Sequence, residues 1–242
     1  MNKGLSPLAR TSAPDMHFPL PIKAVMIDLD GTLLDTAPDL ATAANMMLKE
    51  LGKAELPLET IQSYIGKGIE KLVKRSLTGN LDGEPDADLL QRAMPLYERS
   101  YEKTLYVDTR AYPGVREGLN ALRAGGFRLA CVTNKAEAFT LPLLRAAELL
   151  DYFDIVVSGD SLPKKKPDPM PLLHACERFE IEPHDMLLVG DSLNDAQAAR
   201  AAGSHVFCVP YGYNEGRDVY ELDCDAIVPS LYEATKLIQK SS

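Results

Sequence analysis

The chain has 242 residues, 45% of them hydrophobic and 25% charged, with a formal net charge of −9. That length allows one large domain or a domain with an insert, and the composition suits a globular protein with a real core. The acidic balance argues against a nucleic-acid partner, whose footprint is basic, and no apolar run approaches the ~18 residues of a membrane span.

Residues 1–21 carry Pro7, Pro14, Pro19 and Pro21 and no apolar h-region, which predicts a flexible tail rather than a signal peptide. Ala24-Val25-Met26-Ile27 is continuously apolar, as a strand covered on both faces should be. It runs into Asp28-Leu29-Asp30-Gly31-Thr32. Two carboxylates two residues apart point the same way on an extended chain, and Gly31 then lets the backbone turn away. The pair is expected at the carboxyl end of a parallel strand, where open α/β sheets bind their ligands. Such a pair can hold a hard divalent cation, offer a nucleophile and shuttle a proton.

Residues 36 to 109 show helical periodicity and no convincing strand, with helices expected over Asp39–Leu51, Leu58–Tyr64, Ile69–Leu77 and Ala87–Tyr106. Pro95 should kink or split the last of these. In the third, Ile69, Leu72, Val73 and Leu77 form the apolar stripe, which leaves Lys71, Lys74 and Arg75 expected in solvent. The segment reads as an insert beside the Asp28/Asp30 pair, able to exclude water and choose substrates. The chain thus divides into a tail (1–21), a core (22–35 and 110–242) and an α-helical cap (36–109).

From residue 112 strand and helix alternate. A helix is expected over Gly114–Ala124, a strand over Arg128–Val132, a helix with Pro142 near its start, and a strand over Ile155–Val157. Then follow a helix over Pro171–Phe179, a strand over Met186–Val189, a helix through Ala196 to Ala202, and strands at His205–Val209 and Ala226–Val228. Alternation of this kind specifies a doubly wound parallel sheet, a Rossmann-like α/β core. Three loops at its strand ends carry chemistry. Thr133-Asn134 offers a hydroxyl and an amide, although the pair is also a common turn. In Lys164-Lys165-Lys166-Pro167-Asp168-Pro169 the prolines stiffen a segment that could aim Lys166, with Lys164 and Lys165 as surface charges. In Gly190-Asp191-Ser192-Leu193-Asn194-Asp195, Asp191 can complete a cation site with Asp28 and Asp30, or Asp191 or Ser192 simply caps the next helix. Asp195 could serve the helix dipole or orient metal-bound water.

Together, in this order, these motifs resemble the haloacid dehalogenase-like hydrolase superfamily, in its phosphatase branch, over residues 23–240. The resemblance implies that Asp28 attacks phosphorus and forms an aspartyl-phosphate, and that Asp30 protonates the leaving alkoxide and then deprotonates water. It implies that Thr133 and Lys166, with the Asn134 region, bind the phosphoryl oxygens, with Gly31 and Thr32 also at the substrate. Mg2+ would be held by Asp28, the Asp30 carbonyl and Asp191, with Asp195 supporting the metal shell. Asp30 argues against a dehalogenase, which has no alkoxide to protonate and lacks this second aspartate.

Ala111-Tyr112-Pro113-Gly114-Val115, Val132-Thr133-Asn134-Lys135, Ala198-Ala199-Arg200-Ala201-Ala202-Gly203 and Tyr211-Gly212-Tyr213-Asn214 are similar to the phosphoglycolate phosphatases. That implies hydrolysis of 2-phosphoglycolate to glycolate and phosphate, whereas the residues by themselves indicate only a small phosphomonoester. Lys67, between Gly66 and Gly68, could meet a substrate carboxylate or be a solvated residue at a helix start. A sugar-phosphate mutase, or a phosphatase for a sugar-acid phosphate or nucleotide, would keep the same motifs. A phospho-Asp receiver would lack the helical insert, and a calcium loop fails because Leu33 occupies the position that needs glycine. Cys131, Cys176, Cys208 and Cys224 form no CxxC pair and suit a reducing cytoplasm. A monomer or homodimer is expected.

Overall fold

A computed structural model describes residues 17–241, so residues 1–16 of the expected tail lie outside the described residues. The described chain begins with β1 (Leu20–Ile22), β2 (Ala24–Ile27) and β3 (Leu34–Asp35). Four helices follow: α1 (Ala37–Glu50), α2 (Leu58–Gln62), α3 (Ile69–Thr78) and α4 (Ala87–Thr104). After β4 (Arg110–Ala111) come α5 (Val115–Ala124), β5 (Arg128–Val132), α6 (Glu137–Ala146), β6 (Ile155–Val157) and α7 (Met170–Phe179). The chain closes with β7 (Met186–Gly190), α8 (Leu193–Ala202), β8 (His205–Cys208), β9 (Ala226–Ile227), α9 (Leu231–Ala234) and β10 (Ile238–Lys240).

The central sheet is parallel, in the order β6-β5-β2-β7-β8-β9. From β2 the chain winds outward through β5 to β6, then returns to the other side for β7, β8 and β9. That reversal puts the switch point, and the crevice it creates, over the carboxyl end of β2. The apolar run of β2 is explained by burial on both faces. Val25 and Ile27 join one core cluster with Leu129, Cys131 and Val189, while Ala24 and Met26 join a second with Ala130, Val132 and Leu188. All four cysteines are buried and free.

The helices α1–α4 enclose a third cluster, in which Ala41, Ala44 and Met47 of α1 meet Tyr97 and Tyr101 of α4. Two features close this insert at its base. The segments that leave and re-join the core pair with each other, Leu34 opposite Ala111 and Asp35 opposite Arg110. The buried carboxylate of Asp39 accepts hydrogen bonds from the backbone N–H groups of Val107 at 3.0 Å, Asp108 at 2.8 Å and Thr109 at 3.0 Å, and from the Thr109 hydroxyl at 2.6 Å.

Several expectations are corrected. Pro95 does not split α4, and Pro142 lies in the middle of α6 rather than near its start. Both prolines are on exposed faces, where the carbonyl left without a partner can turn to water. Leu20 and Pro21 already belong to β1, which pairs with β10, so order begins before residue 22. Arg75 is not solvated: it is fully buried. Its guanidinium donates to Leu81 O at 2.8 Å, Tyr64 O at 2.9 Å and Glu215 Oε1 at 2.5 Å. Lys71 and Lys74 do lie at the surface, in ion pairs with Glu84 and Glu70.

Candidate active site

β2 delivers Asp28 to the crevice, where its backbone N–H still bonds Val189 O of β7 at 3.0 Å. The Asp28 carboxylate accepts from Leu29 N–H at 2.7 Å and lies 3.0 Å from the Lys166 ammonium. Lys166 is itself buried and fully committed, donating to Val132 O and Asp195 Oδ1 at 2.7 Å each. It follows β6 and reaches inward under the end of β5, so one cation connects three strand ends.

β7 delivers Asp191. Its carboxylate accepts from the Thr32 hydroxyl at 3.2 Å and from the Tyr213 backbone N–H. Gly31, at φ +85°, and Gly212 bring their backbones so close that a Cβ on either would overlap Asp191 Oδ2. Asp195 closes a capping box at the start of α8, where its Oδ2 accepts from Ser192 N–H at 3.1 Å and the Ser192 hydroxyl at 2.6 Å. Of Asp191 and Ser192, it is Ser192 that caps the helix, with Asp195 completing the box, and the other oxygen of Asp195 orients Lys166.

Asp28, Asp191 and Asp195 each present an oxygen within 4.8 Å of the others. Burial pushes the Asp28 carboxyl up to about 7; Lys166 opposes that shift and Asp195 adds to it. Asp191 rises too, from burial and then from repulsion by Asp195 and Asp28. Burial alone would lower Lys166, yet Asp195 and Asp28 hold it above its ordinary value. Three buried carboxylates against one ammonium leave an excess of negative charge, which a divalent cation would offset. The oxygen donors suit a hard cation. Asp195 carries three contacts, Lys166 on Oδ1 and two from Ser192 on Oδ2, whereas each Asp191 oxygen accepts one hydrogen bond and Asp28 is contacted on Oδ1 alone among the described residues, so Asp28 and Asp191 are the side chains with room for a metal.

Asp30 does not join that cluster. Half-buried, it accepts from the Thr36 hydroxyl at 2.8 Å, and both its oxygens lie 3.1 Å from the Lys135 ammonium. Lys135 is buried and sits over the Tyr101 ring, 4.8 Å from its centroid. Thr133 lines the cleft, its hydroxyl accepting from Lys135 N–H at 3.2 Å. Asn134 also lines the cleft and donates to Gly66 O at 3.0 Å and Lys166 O at 2.9 Å, so its amide nitrogen ties the insert to the lysine loop.

The cleft between insert and core measures about 500 Å³, counting the part open to solvent. Its floor is Asp28, Asp30, Thr133, Lys135 and Asp191; its roof is apolar, from Leu40, Ile65, Ile69 and Leu72. Lys67 is not among its lining residues: its ammonium lies 3.2 Å from Glu215 Oε1, and 39% of the side chain is exposed. Sequence reasoning missed Lys135, Thr36, Gly212 and Tyr213. Lys135 carried a signal, since it directly follows the Thr133-Asn134 strand end.

The chain matches the haloacid dehalogenase-like hydrolases over residues 25–209. A phosphoglycolate phosphatase from Nitrosospira multiformis is 98% identical over 94% of this chain and 100% of its own length. One from Thiobacillus denitrificans is 60% identical over 93% of this chain and 99% of its own. The crystal structure of a predicted phosphoglycolate phosphatase from Haemophilus somnus 129pt superposes with a TM-score of 0.83 at 33% identity, covering 88% of this chain and 96% of that one.

Proposed function

Since the chain belongs to the haloacid dehalogenase-like hydrolases, we propose that it is a Mg2+-dependent phosphatase converting 2-phosphoglycolate and water to glycolate and phosphate. The observation that carries the chemistry is the division of labour within one turn of chain. Asp28 is held against Lys166 at 3.0 Å in a cluster that wants a cation, and Asp30 faces the same cleft with separate partners. The substrate is supported by the relatives of that activity at 98% and 60% identity.

In this reading a carboxylate oxygen of Asp28 attacks phosphorus while the bond from phosphorus to the glycolate oxygen breaks. Asp30 gives its proton to that departing oxygen. Asp30 then takes a proton from water as the water oxygen attacks the aspartyl-phosphate, and cleavage returns Asp28 and releases phosphate. Lys166 exchanges its contact with Asp28 for a phosphoryl oxygen as that carboxylate bonds to phosphorus, the Thr133 hydroxyl binds another, and the lysine charge reduces the repulsion between two approaching anions. Asp28, Asp191 and the Asp30 carbonyl would hold Mg2+, which when bound supplies positive charge against the phosphoryl oxygens and the nucleophile. Asp195 positions Lys166, and α1–α4 act as the cap that closes over the substrate. Among the described residues no helix is long and apolar enough to cross a membrane; the four free buried thiols suit a reducing compartment such as the cytoplasm.

The test is phosphate release from 2-phosphoglycolate, with and without Mg2+, beside sugar phosphates and nucleotides, for the native protein and Asp28→Asn. The expected result is Mg2+-dependent release that favours phosphoglycolate and is lost in Asp28→Asn, whose fold is kept. Release that favours another ester would overturn the substrate assignment, and turnover retained by Asp28→Asn would overturn the mechanism.

A further inference from the structure

Building on the phosphoglycolate reading, we infer that Lys135 receives the substrate carboxylate and so selects acid-bearing esters. Its ammonium lies 3.1 Å from each oxygen of Asp30. The leaving oxygen, which accepts a proton from Asp30, must sit one hydrogen bond from that carboxyl. Lys135 is therefore about two hydrogen-bond lengths, roughly 6 Å, from the leaving oxygen. In phosphoglycolate the carboxylate is joined to that oxygen through a single methylene, so its oxygens fall within this span. An ammonium has three donors, and no partner for Lys135 Nζ other than Asp30 and the Tyr101 ring face is found among the described residues.

The other cations near the cleft are engaged elsewhere. Lys166 spends its donors on Asp28, Asp195 and Val132 O. Arg75 and Lys67 both turn to Glu215, away from the floor of the cleft. Among the described residues that line the cleft, Lys135 is the one cation. The roof strengthens the selection: an apolar surface cannot satisfy the hydroxyls of a sugar phosphate, and it raises the value of a charge pair beneath it.

The experiment compares 2-phosphoglycolate with its amide, 2-phosphoglycolamide, in which the carboxylate becomes a neutral carboxamide and the leaving oxygen is kept. Both are assayed with Mg2+ on the native protein, Lys135→Met, Lys135→Arg and Lys67→Met. The native protein should prefer the acid by ~100-fold or more in kcat/KM, as expected when a site built to pair a substrate group meets an analogue lacking it. Lys135→Met should bring the two esters within a few-fold of each other, while Lys135→Arg and Lys67→Met keep the preference. Native protein that hydrolyses both esters equally overturns the inference without any variant. A Lys135→Met protein that slows both esters by the same factor also overturns it, leaving Lys135 a positioning residue for Asp30. In either case the phosphatase reading survives; if the native protein hydrolyses neither ester, that reading falls and the inference falls with it.

Discussion

Arg75→Met should cost the fold about 3 kcal/mol. The guanidinium is fully buried and makes three contacts, to Tyr64 O, Leu81 O and Glu215 Oε1. Methionine fills most of the volume but donates nothing, so two backbone carbonyls lose a partner, at about 1–2 kcal/mol each where water cannot replace it. Glu215, 12% exposed, keeps only Lys67 at 3.2 Å. Removing one partner of a buried ion pair costs 3–5 kcal/mol, and the remaining lysine argues for the lower end. For a chain of this size 1 kcal/mol shifts Tm by roughly 2–4 °C, so Tm should fall by about 10 °C. Thermal and urea unfolding followed by circular dichroism measure it. Glu215→Gln should cost less, and the double variant less than the sum, with a coupling of at least about 1 kcal/mol. A Tm for Arg75→Met within 2 °C of the native value would refute the buried pair and restore the solvated helix face.

Gly212→Ala places a methyl against Asp191 Oδ2 and the Gly31 carbonyl. If Asp191 holds Mg2+, the concentration giving half-maximal activity should rise by about tenfold or more; an unchanged Mg2+ titration would remove Asp191 from the metal site. Asp225 resists the desolvation of its buried site through His205, Arg200 and the Val206 N–H, which hold its carboxyl below the usual value. A depressed carboxyl stabilises the fold above its unfolded pKa of about 3.9 and loses that contribution as pH falls through its folded value. Asp225→Asn should therefore cost about 2 kcal/mol at pH 7, and the gap to the native protein should shrink below about pH 4. Parallel Tm curves from pH 7 to pH 3 would contradict this.

The legible parts of the fold were those whose pattern is local. Apart from the exposed Arg128 that opens β5, Ala24–Ile27, Arg128–Val132 and Met186–Gly190 are uncharged, buried runs because each is covered on both faces, and such runs identify buried parallel strands without reference to anything distant. The strand ends then gather Asp28, Thr133, Lys166 and Asp191, since a parallel sheet directs every carboxyl end to one edge. What stayed hidden depends on partners far along the chain. Arg75 reads as polar on its own helix, and its buried partners, Tyr64 O, Leu81 O and Glu215, the last 140 residues away, leave no mark in the local pattern. Lys135 reads as a loop lysine until the sheet sets it against Asp30, 105 residues earlier. The ladders β1–β10 and β3–β4 are too short for any periodicity to register.

The two-residue ladder between β3 and β4 also bears on how such a chain can be remade. Because Leu34 faces Ala111 and Asp35 faces Arg110, everything between them forms a loop closed at its base by a ladder separate from the central sheet. A replacement of any length that ends in a matching pair of extended residues could be grafted there with neither strand order nor strand register disturbed. A graft must also respect Asp39, which fixes the first helix to the returning backbone at Val107–Thr109, and must replace the contacts that Gly66 and Arg75 make with Asn134 and Glu215 of the core. The arrangement separates two kinds of inheritance: the sheet and its strand ends can stay constant while the roof over them is exchanged as one piece, bringing a different clientele to the same chemistry.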